Sequence, residues 1–190
     1  MKFIAPDGLV ARPRTPHDTE FLAALYASTR ATELAPVPWP DDTKRAFLRS
    51  QFEAQARHYD LHYADAEFLV LERDGHTIGE AGSRRLATAL TPGLPTGESP
   101  ATEKTSSVGS IGRLILAWGD RDLRVVDIAL VPQCCGIGLG TALLRAVMAQ
   151  AVGSVSIHVE RFNPALRLYQ RLGFVHEEDT GVYYRMRWKT

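Results

Sequence analysis

The run Asp127-Ile-Ala-Leu-Val-Pro-Gln-Cys-Cys-Gly-Ile-Gly-Leu-Gly-Thr-Ala-Leu-Leu144 constrains this chain more than any other stretch. Residues 123–131 have almost no polar face, which reads as a buried, central strand. Pro132 ends it. Gly136, Gly138 and Gly140 then alternate, and Leu143, Leu144, Val147 and Met148 follow at helical spacing, which predicts a helix over 141–152. Glycines so placed let backbone amides turn toward a bound anion. The start of the helix adds its dipole and its unpaired N–H groups. Strand, glycine loop and helix in this order make an α/β unit suited to a phosphate group, with a diphosphate as the natural guest.

A dinucleotide-binding fold is the obvious rival, since Glu160 lies about twenty residues past the loop, where a ribose-binding acid would fall. Only about fifty residues follow the loop, too few for the remaining strands and helices of such a fold. The chain before the loop also lacks regular strand–helix alternation.

The N-terminal half reads as a short strand over 9–12 and a helix capped by Thr15, with Asp18 in its acidic first turn and Phe21, Leu22, Leu25 and Tyr26 on its apolar face. Pro36, Pro38 and Pro40 end that helix. A second helix, capped by Asp41 or Asp42, runs to about residue 59 on a stripe of Leu48, Phe52, Ala56 and Tyr59. Gln51 and Gln55 lie one turn apart on its polar margin: a solvated edge, or the mouth of a substrate pocket together with Tyr59. Residues 67–73 form a strand, Asp74-Gly75 a hairpin turn, and 77–83 the start of the next strand. Residues 87–110, rich in Pro, Gly, Ser and Thr, read as an insertion loop within a single domain spanning 1–190. After the glycine loop come a strand over 154–159, a short helix capped by Asn163 with Pro164 at its first position, a left-handed turn at Gly173, and strands over 174–177 and 182–188.

Composition closes off several functions. Lys+Arg and Asp+Glu both number 22, so nothing steers the chain toward nucleic acid or an anionic membrane surface. No stretch has the length and hydropathy of a membrane helix, and the opening residues, interrupted by Pro6, Asp7 and Gly8, do not read as a signal peptide. Cys134 and Cys135 are adjacent, which makes neither a disulfide framework nor a metal site. A reducing cytoplasm and no metal are the expectations.

Two signatures, about thirty residues apart, resemble the GCN5-related N-acetyltransferase (GNAT) superfamily over nearly the whole chain. The first is Cys135-Gly-Ile-Gly138-Leu-Gly140 between strand and helix. The second is Asn163-Pro-Ala-Leu-Arg-Leu168-Tyr169-Gln-Arg-Leu-Gly173-Phe174. The resemblance implies a mixed, mostly antiparallel central α/β sheet flanked by helices. Its fourth and fifth core strands splay apart, here expected after Leu130 and Ser154. It also implies acetyl-CoA as co-substrate: Ile128, Ala129 and Leu130 along pantetheine, Cys135, Gly136, Ile137, Gly138, Leu139, Gly140 and Thr141 around the pyrophosphate, and Asn163 beside the cofactor. Cys135 stands where relatives often carry Gln or Arg, and Ile137 where a basic residue is common. The backbone must therefore hold the pyrophosphate, or Arg145 and Arg167 must help.

Acyl transfer from a thioester to an amine needs a neutral amine, a polarised carbonyl and a proton for the departing thiolate. Tyr169 matches the family tyrosine that protonates sulfur; the alternative is a core tyrosine. His158 matches a position where some relatives carry a catalytic Glu, against a structural histidine at a sheet end. Asp127, in an otherwise apolar strand, needs either a partner such as Arg124 or Arg85, or a task; Glu80 is a further candidate base. A ping-pong thiol at Cys134 or Cys135 is disfavoured, with no His or Asp within a few residues. The expectation is an acyltransferase acting on a small-molecule or protein amine, as monomer or homodimer. The alternatives are a non-catalytic acyl-CoA-binding module and a structural subunit of the same fold.

Overall fold

A proline-rich link, a glycine loop and alternating apolar runs divide the chain into elements that the computed structural model describes over residues 2–73 and 109–190. In order they are β1 (Val10–Pro13), α1 (Thr19–Leu34), α2 (Asp41–His62), β2 (Glu67–Arg73), β3 (Gly109–Trp118), β4 (Asp122–Leu130), α3 (Leu139–Gln150), β5 (Ser154–Glu160), α4 (Leu166–Arg171), β6 (Val175–Asp179) and β7 (Tyr183–Lys189). The strands make one sheet in the order β1-β2-β3-β4-β5-β7-β6. Every neighbouring pair is antiparallel except β4 and β5, which run parallel. The sheet is therefore mixed, mostly antiparallel and flanked by helices, as expected.

The first helix begins later than the sequence suggested. A short 3₁₀ turn, Pro16–Asp18, comes first. The Thr15 amide and hydroxyl both donate to the Asp18 carboxylate, at 2.7 and 2.9 Å. Arg12 donates to the same carboxylate from two nitrogens, at 2.6 and 2.8 Å. α1 then buries Leu22, Leu25 and Tyr26. α2 starts directly after Pro40 with Asp41 and Asp42 in its first turn, where acidic side chains complement the helix dipole. It runs to His62, past the expected end near residue 59, and so brings Tyr63 to its C-cap.

Register shows which residues share a face of the sheet. Phe68 pairs with Ile115, Ile115 with Asp127, and Arg113 with Ala129. Between Asp127 and Val125 the register slips: Ile115 pairs with Asp127, but Leu116 pairs with Val125. Val126 is the extra residue of a β-bulge, which bends the strand and re-aims the side chains beyond it. Without it, alternation would put Asp127 on the face of Leu123 and Val125. With it, Asp127 shares a face with Arg113, Arg124 and His158. α1 and α2 cover that face over β2 and β3, where Leu22, Phe52, Ala56 and Tyr59 line a small cavity with Phe68, Arg113 and Ile115. Elsewhere Leu143, Leu144 and Val147 of α3 join Leu114, Leu116, Leu123 and Val125 in the core. Burying each such side chain is worth about 1.5–3 kcal/mol.

β4 and β5 pair only from Asp122–Ser154 to Val125–Ile157. The split thus opens after Val125 and Ile157, not after Leu130 and Ser154. The bulge turns β4 away at that point. Below it a polar clasp holds the strands together: Asp122 accepts from the hydroxyls of Ser154 (2.7 Å) and Ser156 (2.5 Å) and from Arg187 (2.7 Å).

α3 occupies Leu139–Gln150, two residues earlier at each end than expected, and β4 ends at Leu130. The last helix is shorter than 164–172 and has Ala165 at its N-cap; Asn163 instead caps the turn before it, accepting from the Ala165 amide at 2.8 Å. Gly173, with φ of 89°, makes the left-handed turn expected of it. The hairpin at Asp74-Gly75, the strand from 77, Glu80, Arg85 and residues 87–108 lie outside the described residues. Gly109 and Ser110, read as the end of the insertion, open β3 instead.

Candidate active site

The loop between β4 and α3 is built from two left-handed glycines. Gly136 has φ of 76° and Gly138, the N-cap of α3, has φ of 93°. A Cβ on either would meet nothing within 4 Å, so backbone conformation alone demands glycine there. At Gly140 the reason is proximity: a Cβ would sit 3.3 Å from Leu168 of α4. The amides of Cys134 and Cys135 bond back to Val131 and Pro132, and the amide of Ala142 bonds to Gly138. Between them, the amides from Gly136 to Thr141 have no acceptor among the described residues. This run of free donors at the start of a twelve-residue helix is suited to receive an anion. Arg145 and Arg167 are exposed and have no ion-pair partner among the described residues. Ile137 is 58% exposed.

Beyond Val125, β4 has β3 on one side and no strand on the other. The Val131 amide bonds to Ile111 on β3. Alternation therefore turns the backbone groups of Ile128 and Leu130 toward the gap, with Ala129 facing β3.

On the β4 side of the gap sits a polar cluster assembled from three elements. Asp127 of β4 pairs with Arg113 of β3, whose side chain is only 9% exposed. The same guanidinium nitrogen donates to Gln55 of α2 at 3.1 Å, and the guanidinium stands 5.9 Å from the Tyr59 ring. Among the described residues the partner of Asp127 is thus Arg113, not Arg124, and Arg85 lies outside them. Arg113 was missed as a site residue, although a lone charge in Ile111–Leu116 was a signal of the same kind as Asp127. Burial, reinforced by the charge of Asp127, raises the Tyr59 phenol above its ordinary value.

Tyr169 reaches the same field from α4. Its ring is 4% exposed and meets Phe174 edge-on at 5.8 Å. Burial and the Asp127 charge push its phenol up and keep it protonated. Its hydroxyl has no hydrogen-bond partner among the described residues.

The other expected site residues divide. Gln55 and Tyr59 join the cluster, whereas Gln51 stays exposed on α2. The side-chain oxygen of Asn163 is engaged in its own turn. His158 is exposed, and its Nδ1 faces the Arg124 guanidinium. Partial burial, Arg124 and Arg185 lower its pKa. Burial raises both Cys134 and Cys135 thiols, which disfavours a thiolate nucleophile. Among the described residues, no cluster of His, Cys, Asp and Glu could hold a metal, and no helix is long and apolar enough to cross a membrane.

Solved structures with this fold include the PaiA N-acetyltransferase of Thermoplasma acidophilum in complex with coenzyme A. It is 15% identical, with a TM-score of 0.58 over 96% of this chain and 99% of that one. The spermidine N-acetyltransferase of Vibrio cholerae, in complex with CoA and spermine, is 16% identical, with a TM-score of 0.54 over 97% and 96%. An acetyltransferase of Thermus thermophilus is 17% identical, with a TM-score of 0.56 over 100% of each chain. No curated protein matches the chain by sequence. The sequence of residues 26–174 matches the acetyltransferase (GNAT) family, and with the split sheet and its glycine loop in place, the chain belongs to that family.

Proposed function

We propose that this protein is an acetyl-CoA-dependent N-acetyltransferase that passes the acetyl group directly to a primary amine. The observation that carries the reading is the run of unpaired amides from Gly136 to Thr141, beside a split sheet whose gap lies near Asp127 and Tyr169. The family match supports it, as do relatives crystallised with CoA.

In this reading the loop amides and the α3 dipole hold the pyrophosphate. Ile128 and Leu130 offer their gap-facing backbone groups to pantetheine, Ala129 lies between them, and Asn163 offers its side-chain amide from the far side. Cys135, Ile137 and Leu139 contribute backbone and apolar contact only. Asp127, directly or through Tyr59 and water, takes the proton that the amine must lose before it attacks. The new C–N bond forms as the C–S bond breaks, and Tyr169 gives its proton to the departing sulfur. Gln55 and Tyr59 line the acceptor side, with Gln51 at its rim. His158, on a separate cluster with Arg124, acts at most through water. The acceptor is a small molecule or a protein amine, the setting cytoplasmic, and the protein a monomer or homodimer.

Calorimetry with CoA and acetyl-CoA, paired with thiol release on a mixed panel of primary amines, tests this. Micromolar CoA binding and amine-dependent thiol release are expected. CoA binding without release on any amine would leave a non-catalytic acyl-CoA-binding module, which the missing side-chain cations at Cys135 and Ile137 would then explain. Absence of CoA binding would overturn both.

A further inference from the structure

Several partly buried arginines among the described residues have carboxylate partners. Arg12 has Asp18 and Glu72, Arg30 has Glu160, Arg113 has Asp127, and Arg187 has Asp122 and Glu177. Arg124 differs. It is partly buried on β4, and among the described residues no carboxylate lies within ion-pair distance of it. Its guanidinium donates to Nδ1 of His158 and stands 5.6 Å from the Tyr63 ring. A histidine that accepts through Nδ1 is neutral, so it satisfies a donor without offsetting the charge. His158 is in register with Arg185 of β7, a second cation, whose acids Glu177 and Glu178 stand off at 3.6 and 3.9 Å. Partial burial first, and then the charges of Arg124 and Arg185, lower the pKa of His158, with Glu178 opposing them.

The position of this charge gives it meaning. Arg124 belongs to the next-to-last pair before β4 and β5 part. The bulge at Val126 puts it on the same face as Asp127, about 7–10 Å along the strand. Tyr63, above it, follows Tyr59 by one helical turn, so α2 roofs both residues.

We propose that Arg124 binds a carboxylate on the acceptor, so that the substrate class is a primary amine whose carboxylate lies several bonds from the nitrogen. The amine is placed at Asp127 and the carboxylate at Arg124, with the carbon chain under Tyr59 and Tyr63. A polyamine is disfavoured by the same geometry, because its second ammonium would meet Arg124. This inference rests on the acetyltransferase reading for the identity of the reacting group, but the anion site can be tested without turnover.

The experiment is calorimetry of the CoA-loaded protein with three ligands of one length: ω-aminohexanoate, its amide, and the corresponding diamine. The amino carboxylate is expected to bind at least about 10-fold more tightly than the other two, as a charge-assisted bond predicts. Arg124→Gln should remove that preference and leave the amide unchanged; Arg124→Lys, keeping the charge, should restore part of it. CoA affinity in both variants should match wild type, which shows that the fold and the loop are intact. Thiol release then reads KM against kcat: Arg124→Gln should raise KM for the amino carboxylate at similar kcat. Equal binding of the three ligands, or equal loss of all three in Arg124→Gln, would overturn the proposal. Selective carboxylate binding without thiol release would uphold the anion site and count against the acetyltransferase reading instead.

Discussion

Ring and hydroxyl have separable roles at Tyr169. The ring is buried against Phe174, while the hydroxyl has no hydrogen-bond partner among the described residues. Tyr169→Phe keeps the apolar contact and removes only the hydroxyl, so Tm should change little, within the roughly 1 kcal/mol of an ordinary hydrogen bond. CoA affinity should hold, and turnover should fall about 10²–10⁴-fold, the usual contribution of a positioned acid. Steady-state kinetics beside a melting curve check this. Full turnover would end the acid role, and loss of folding would return Tyr169 to the core. Asp18 shows the opposite case, a charge whose work is structural. It is 6% exposed and takes hydrogen bonds from Arg12, the Thr15 amide and the Thr15 hydroxyl. These hold its carboxyl well below the usual carboxylate range, the Arg12 bonds most strongly. Its contribution to stability is therefore fully present above about pH 4 and is lost as pH falls through its lower folded value. Asp18→Asn should cost about 1.5–2 kcal/mol at neutral pH, because charge-assisted hydrogen bonds from Arg12 are lost while Glu72 still pairs with it, and should flatten the acid limb of the stability curve. Urea melts at a series of pH values measure both.

Single elements set the geometry of the candidate site. In the loop before α3, Gly138 has φ of 93° with open space beyond it, so an alanine there costs only backbone conformation, about 1–2 kcal/mol. If Gly138→Ala keeps the fold by shifting the start of α3, the free amides move with it. CoA affinity should then drop by more than about 10-fold while Tm falls only a few degrees. Calorimetry and a melting curve on the same preparation separate the two effects; an unchanged CoA affinity would remove the loop from the binding site. The glycine spacing and the helix behind it were legible from residue order, because turn conformation and helical periodicity are local properties. The bulge at Val126 was not. Nothing in Arg124-Val-Val-Asp127 marks an extra residue; only pairing with Ile115 and Leu116 of β3 reveals it. That slip decides which face Asp127 takes, and so which partner it has. Asn163 was read as a helix cap because it precedes Pro164, yet α4 starts at Leu166, after a turn that uses up the Asn163 side chain.

Across the whole molecule, the sheet is two blocks joined by the short β4–β5 pairing. That joint is reinforced by the Asp122 clasp and by Arg30 of α1, which reaches Glu160 at 2.8 Å. His158 sits on the joint between Arg124 and Arg185. Its pKa is lowered in the folded protein, so the unfolded chain binds the proton more readily. Stability should accordingly be full above the ordinary histidine value near 6.5 and decline as pH falls through the lower folded value. Melting temperatures taken across about pH 5 to 7 should drop more steeply in wild type than in His158→Gln. Parallel slopes would show that His158 does not couple to the joint.

Legible in residue order were the succession of elements, the glycine loop, the place of Tyr169 on a short helix, and, through the family resemblance, the mixed sheet. Each comes from spacing within about a dozen residues or from two motifs that each lie in one segment. The contacts between segments came from folding alone. Folding put Arg113 rather than Arg124 on Asp127, carried Gln55 and Tyr59 but not Gln51 to that pair, and left Arg124 facing a neutral histidine. It also opened the split at Val125 and Ile157. One cause underlies all of these. A charge on a strand is satisfied by whatever register and bulge bring across from the neighbouring strand and the helix above, and those neighbours are distant in the chain.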